Sequence, residues 1–201
     1  MTRPAPGWRW QDSGMMDVTH PVRRSGVGSH DVRWIGLSDL FLFARGASVI
    51  DVGCNRGHVG YEFARSEARL VHGCDIDGPS IQAARHWFAE LPYVQSKFEV
   101  VDLTEGGAAL HKVFGPEGYD IVLFIGVQHK LKRVMKTDQL DSLIFHLGTR
   151  ALAYFGWNGY TEDLEQMDRA LKKAGLLRIH TSEIPGPGRP AAIWARTHGE
   201  A

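Results

Sequence analysis

The chain has few cysteines, no excess of charge of either sign and no long apolar run, and each shortage excludes something. Two cysteines in 201 residues, Cys54 and Cys74, cannot make a disulfide framework and fit a reducing compartment. Lys and Arg together number 23 and so do Asp and Glu, for a formal net charge of zero. Global electrostatics therefore make no case for a nucleic-acid or acidic-membrane partner. No stretch approaches a membrane span, and Met1 to Pro6 lack the apolar core of a signal peptide, so a cytoplasmic protein is expected. His, Cys and Asp show no metal-ligand spacing, and no metal is expected. Two nucleotide fingerprints are missing as well. There is no Gly-Lys-Ser/Thr loop ending, and a G-x-G-x-x-G run starting at Gly53 would need glycines where Asn55 and His58 stand.

What is present is an ordinary globular composition, 43% apolar and 23% charged, at a length suited to one domain with a full core. Residues 1–33 are rich in Pro and Gly but carry Trp8 and Trp10. They are read as an N-terminal extension that packs as a cap or lid, with a loose leader as the alternative. Residues 34–201 read as the domain proper. Trp34, Leu37, Leu40, Phe41 and Ala44 fall at helical spacing. Short apolar runs then alternate with helical patterns. Strands are expected at Val49–Val52, Leu70–Asp75, Phe98–Asp102, Tyr119–Ile125, Ala151–Phe155, Leu176–Ile184 and Ala191–Ala195. Helices are expected from Val59 to about Ser66, from Pro79 through Leu91, from Gly106 to Phe114, around Leu140–Leu147 and around Leu164–Ala174, with a polar loop at Gln128–Lys136. Alternation of this kind gives an α/β fold, a doubly wound and mostly parallel sheet in a three-layer α/β/α arrangement. The gap of Pro185 to Pro190 is too short for a helix, so the last two strands must form an antiparallel hairpin.

The stretch that organises the chain is Val49 to Gly60. A buried strand ends in Gly53, Asn55 and Gly57, and a helix follows. Glycine admits close backbone approach and positive φ, and Asn tolerates the left-handed region best among the other residues. The free N–H groups of the next helix add an electropositive lip. Such a loop holds a ligand. In open α/β sheets, ligands sit beyond the carboxyl ends of the strands, and there lie Asp75 after strand 2, Asp102 after strand 3 and Ile125 to His129 after strand 4.

The spacing Asp51-x-Gly53-x-Asn55-x-Gly57 resembles motif I of the class I S-adenosylmethionine-dependent methyltransferases, with Asn in place of the middle glycine. The resemblance runs over roughly residues 34–196. It implies the seven-stranded order 3-2-1-4-5-7-6 with strand 7 antiparallel, and S-adenosylmethionine as cofactor. It assigns Gly53, Asn55 and Gly57 to the cradle and Asp75 to the ribose hydroxyls. Asp102 falls to the adenine amino group, Ile76 and Leu103 to the adenine faces, and Ile125 and Gly126 to the methionine moiety. Asp51 either reaches the methionine amino group or holds the loop amides of residues 53–57. The ending Ile125-Gly126-Val127-Gln128-His129 resembles the strand 4 motif of small-molecule methyltransferases and of certain tRNA wobble-uridine modifiers. It implies that His129 looks towards the transferring methyl as a catalytic group. Lys130, Lys132, Arg133 and Lys136 follow at once, either to grip an anionic substrate group or as solvated loop cations.

The expected function is methylation, O- ahead of N-, of a small molecule or a glycan or lipid-linked intermediate. No Asn/Asp-Pro-Pro-aromatic run of amino methylation and no aromatic-basic stripe for RNA is present. RNA (tRNA) or protein methylation is the second reading, and a non-catalytic subunit that keeps only the fold is the third.

Overall fold

A computed structural model describes residues 36–182 and 190–197, all within the compact unit Gly36–Ala201. The extension expected over residues 1–33 lies outside the described residues. Seven strands form one sheet: β1 Ser48–Val52, β2 Leu70–Asp75, β3 Gln95–Val100, β4 Tyr119–Ile125, β5 Ala151–Asn158, β6 Leu176–Ser182 and β7 Ala191–Arg196. Their order is β3-β2-β1-β4-β5-β7-β6. All pairings among β1 to β5 are parallel, and β7 runs antiparallel to both β5 and β6. The fold is the one expected, terminal hairpin included.

Among the described residues six α-helices accompany the sheet: α1 His58–Arg65, α2 Gly78–Ala89, α3 Gly107–Phe114, α4 Gln128–Leu131, α5 Thr137–Arg150 and α6 Leu164–Lys173. Alternate residues of the buried strands serve opposite faces. Ile50, Val52, Val122 and Phe124 join a core with Leu140, Leu143, Ile144 and Leu147 of α5 and Met167 and Leu171 of α6. The opposite face takes α1 and α2. There the glycines allow tight packing, since a Cβ at Gly60 would lie 2.8 Å from Val71 and one at Gly57 would lie 3.1 Å from Ala84.

Three expectations need correction. The segment before β1 is a 3-10 helix at Ser38–Phe43 and not a longer α-helix, because Gly36 on one side and Gly46 on the other take φ of +79° and +72°, which breaks helical continuity. β3 begins at Gln95 and ends at Val100, so Asp102 stands beyond the strand. The span Gln128–Lys136 is no open loop. It opens with α4 and continues in turns, with Lys132 N–H donating to Gln128 O (2.9 Å) and Met135 N–H to Leu131 O (2.8 Å).

Two tryptophans show how the polar parts of this core are settled. Trp157 and Trp194 are fully buried, and a buried indole N–H needs an acceptor. Trp194 donates to Asp168 Oδ1 at 2.9 Å and Trp157 to Gln128 Oε1 at 2.8 Å. The second bond ties the segment after β4 to β5.

Candidate active site

β1 is buried at every position, so the chain must leave it through a turn that returns its backbone groups to partners. Gly53 and Cys54 donate to the Cys74 carbonyl at 2.8 and 2.9 Å, and Gly57 donates to Cys54 O at 2.9 Å. Asn55 donates its N–H to Asp75 Oδ2 at 2.9 Å. Gly53, Asn55 and Gly57 all have positive φ, +82°, +50° and +77°, as the motif requires. A Cβ at Gly53 would sit 2.1 Å from Val127 Cγ2. The loop after β1 and the tip after β4 therefore touch, and together they make one floor.

Asp51 is 1% exposed, and its Oδ2 is buried with no hydrogen-bond partner among the described residues. Burial foremost, then the negative charge of Asp75, pushes its carboxyl up to about 7, against a lowering by the Gly60 N–H. The amides of Gly53, Cys54, Asn55 and Gly57 are held by Cys74, Cys54 and Asp75. A carboxylate oxygen left unsatisfied at the foot of a glycine loop fits a cationic group arriving from outside.

Asp75 ends β2. Its Oδ1 accepts from Asp77 N–H at 3.0 Å and its Oδ2 from Asn55. A carboxylate has about four acceptor sites, so two remain for a pair of hydroxyls. Asp77 does other work. It is the N-cap of α2, accepting from Ser80 N–H at 3.0 Å, and bonding to Ser80 holds its carboxyl below the usual range. Asp102 accepts both the N–H (2.9 Å) and the hydroxyl (2.7 Å) of Thr104 on Oδ1, which keeps its carboxyl below the usual range and leaves Oδ2 to a ligand. Ile76 is 66% exposed whereas Leu103 is 6% exposed and belongs to the core. Ile76 is thus the face available to a planar ring, and Leu103 offers only an edge.

On the other side Ile125 and Gly126 are half-buried. Gly126 has φ +67°, and a Cβ built on it would meet nothing within 4 Å. Its N–H is held by Asn158 O at 2.9 Å. His129, on α4, lies edge-on to Tyr160 with ring centroids 5.4 Å apart. Sequence reasoning missed what fixes this tip. Gln128 is 1% exposed, accepts from Trp157 and donates to Gln166 Oε1 at 2.8 Å, and Gln166 donates to Asp141. Lys132 donates to the buried Asp163. No local pattern signals this partnership, since Gln128 lies beyond β4 and Trp157 inside β5. Cys54 and Cys74 are buried and free. Burial pushes both thiols up, Cys74 to about 12, so they are packing residues.

A sheet in this order, with a glycine loop, strand-end acids and an open strand-4 tip, is built to present S-adenosylmethionine to an acceptor. A family model described as a methyltransferase domain matches residues 44–192, and the chain belongs to that family: it is an S-adenosylmethionine-dependent methyltransferase. A comparison with curated protein sequences finds no match. Among solved structures it resembles the magnesium protoporphyrin IX methyltransferase of Synechocystis PCC 6803 with bound S-adenosylmethionine. The identity is 21% and the TM-score 0.62, over 84% of this chain and 77% of that one. It also resembles the ribosomal protein L11 methylase of Lactobacillus delbrueckii subsp. bulgaricus (15%, TM-score 0.59, 85% and 81%). A TehB-like methyltransferase of Corynebacterium glutamicum is similar too (16%, TM-score 0.58, 84% and 96%). These likenesses are of fold. Among the described residues no helix is long and apolar enough to cross a membrane.

The two neighbouring acids make a discriminating pair. Asp75→Ala is expected to weaken S-adenosylmethionine binding on the order of 10- to 100-fold, the loss of charge-assisted bonds to the ribose. Asp77→Ala is expected to lower the melting temperature through its lost cap and leave affinity unchanged. Titration calorimetry and thermal melts on both variants decide it, and equal losses of affinity would reassign the ribose acid.

Proposed function

We propose that the protein transfers a methyl group to an oxygen of a small-molecule acceptor, or of a glycan or lipid-linked intermediate, in the cytoplasm. The observation that carries this reading is that His129, edge-on to Tyr160, stands on α4 just after the Gly126 turn that ends β4. It supports a reading in which His129 serves as proton acceptor for a hydroxyl brought to the methyl donor.

Bound S-adenosylmethionine supplies a methyl group already made electrophilic by its sulfonium. The chain's own part is placement and proton handling. Asp51 takes the methionine ammonium. Gly53, Asn55 and Gly57 let the loop backbone approach the cofactor, Asp75 accepts from the ribose hydroxyls, and Asp102 accepts from the adenine amino group over Ile76 and Leu103. Ile125 and Gly126 line the methionine side. His129 takes the proton that the acceptor hydroxyl loses.

The test is transfer of a labelled methyl group into a cell extract. Label should collect in small-molecule or solvent-extractable fractions and resist nuclease and protease. Label in RNA or protein would replace the acceptor class. No label at all, from protein shown to bind the cofactor, would favour the non-catalytic reading.

A further inference from the structure

The four cations after β4, Lys130, Lys132, Arg133 and Lys136, share a segment without acids. No Asp or Glu occurs between Asp120 and Asp138, although the chain as a whole is neutral. Hydrogen bonds from Lys130 to Val127 O (2.9 Å), Arg133 to Lys130 O (3.2 Å) and Val134 to Leu131 O (3.0 Å) wind the segment into consecutive turns. That winding sorts its side chains. Gln128, Leu131 and Met135 turn inward and are buried. Lys132 is taken by Asp163, which is 1% exposed and holds the ammonium at 2.5 Å. Lys130, Arg133 and Lys136 are left exposed, with no ion pair among the described residues.

Two anchors, each seated on a buried residue (Gln128 and Asp163), tie this ridge to the domain. One is the Trp157–Gln128–Gln166–Asp141 chain, and the other is the Lys132–Asp163 pair. A fixed backbone here lowers the ordering cost of binding, which is then left mainly to the side chains. The segment follows Gly126 and its helix carries His129, which puts the cations on the side where the proposed function seats the acceptor. Arg133 offers a planar fork suited to carboxylate or phosphate, and the two lysines offer point charges.

We infer that Lys130, Arg133 and Lys136 form an anion-binding ridge, and that the acceptor is a small molecule bearing a carboxylate or phosphate beside the hydroxyl that is methylated. This deepens the proposed function and rests on reading the β4 tip as the acceptor side. The anionic group bound here need not react. Its role is to fix the hydroxyl relative to His129.

Inorganic pyrophosphate serves as probe in an amide NMR titration of the full chain saturated with S-adenosylhomocysteine. Amides of residues 129–136 should shift saturably, and Arg133→Glu should weaken the response about tenfold. The exposed pair Lys172 and Lys173 on α6 is the internal control. Shifts there as large as on the ridge, or shifts that never saturate, would overturn the inference. So would an RNA oligomer that binds the ridge more tightly than pyrophosphate with a steep salt dependence, since the ridge would then read a polyanion. The cofactor titration is scored separately. If S-adenosylhomocysteine leaves residues 53–57 and Asp75 unmoved, the cofactor-site reading fails, whatever the ridge does. Methyl esters of a carboxylate acceptor, or dimethyl esters of a phosphate one, found by label transfer would extend the test, the neutral forms losing kcat/KM.

Discussion

Replacing His129 by alanine is expected to cut turnover by roughly 10²–10⁴-fold, the usual contribution of a positioned general base. Cofactor affinity should stay near that of the unmodified protein. The two readouts separate because His129 sits on α4, whereas the groups assigned to the cofactor sit in β1 and the loop after it, at the ends of β2 and β4, and beyond β3. Imidazole is the side chain suited to taking a proton near neutral pH. Without it, the acceptor hydroxyl must ionise by itself, so the variant's rate should climb as pH rises. Mutating this position does not remove the anchors beneath it, since Gln128, Trp157 and Gln166 stay in place. Turnover unchanged with the true acceptor would take His129 out of the mechanism and leave deprotonation to another group. Affinity lost along with turnover would move His129 into the cofactor site.

Much of this was legible in the chain, for reasons that differ by element. β2 and β4 are apolar runs bounded by polar residues, and their limits are those read from sequence. The positive φ of Asn55 followed from the spacing of its flanking glycines. β3 was misread because it is an edge strand. Gln95, Ser96 and Lys97 are exposed, so its first half carries no apolar signal, and only backbone pairing with β2 makes it a strand. The tip after β4 was misread for the opposite reason. Its composition looks like a solvated loop, yet Gln128 is buried because the indole of Trp157 needs an acceptor there. Such a partnership joins β5 to a segment distant in sequence, and no local pattern announces it. The ion pair of Lys132 with Asp163 was hidden in the same way, since a lysine's sequence neighbours do not say which way it turns. Both omissions concern what holds the site still. The ligand-facing residues follow a motif, and their supports follow from three-dimensional packing.

Asp51→Asn is expected to trade cofactor affinity for stability, in a manner that depends on pH. The Asp51 carboxyl is raised from 3.8 to about 7, first by burial and then by the charge of Asp75. A rise of that size corresponds to roughly 4 kcal/mol. Below pH 3.8 both folded and unfolded chains hold this proton, and the group costs nothing. Between 3.8 and 7 the unfolded chain gives up the proton while the folded chain keeps it, so stability falls as pH rises. Above 7 the full cost of an ionised buried carboxylate is present. Asparagine keeps an oxygen for the Gly60 N–H and never ionises. The variant should therefore unfold at higher denaturant than the unmodified protein at pH 8, with the advantage shrinking towards pH 4. Its binding should move the other way. An ammonium against the ionised carboxylate satisfies the lone oxygen, and its loss should weaken S-adenosylmethionine at least ~10-fold at pH 8. In the unmodified protein affinity should rise with pH towards 7 and then level. Calorimetry in buffers of different ionisation heat should register a proton released on binding below pH 7. Denaturation curves at both pH values and these titrations give the answer together. An asparagine variant no more stable at pH 8 than the unmodified protein, or one that binds the cofactor as tightly, would show that Asp51 is satisfied by the fold and not by the ligand.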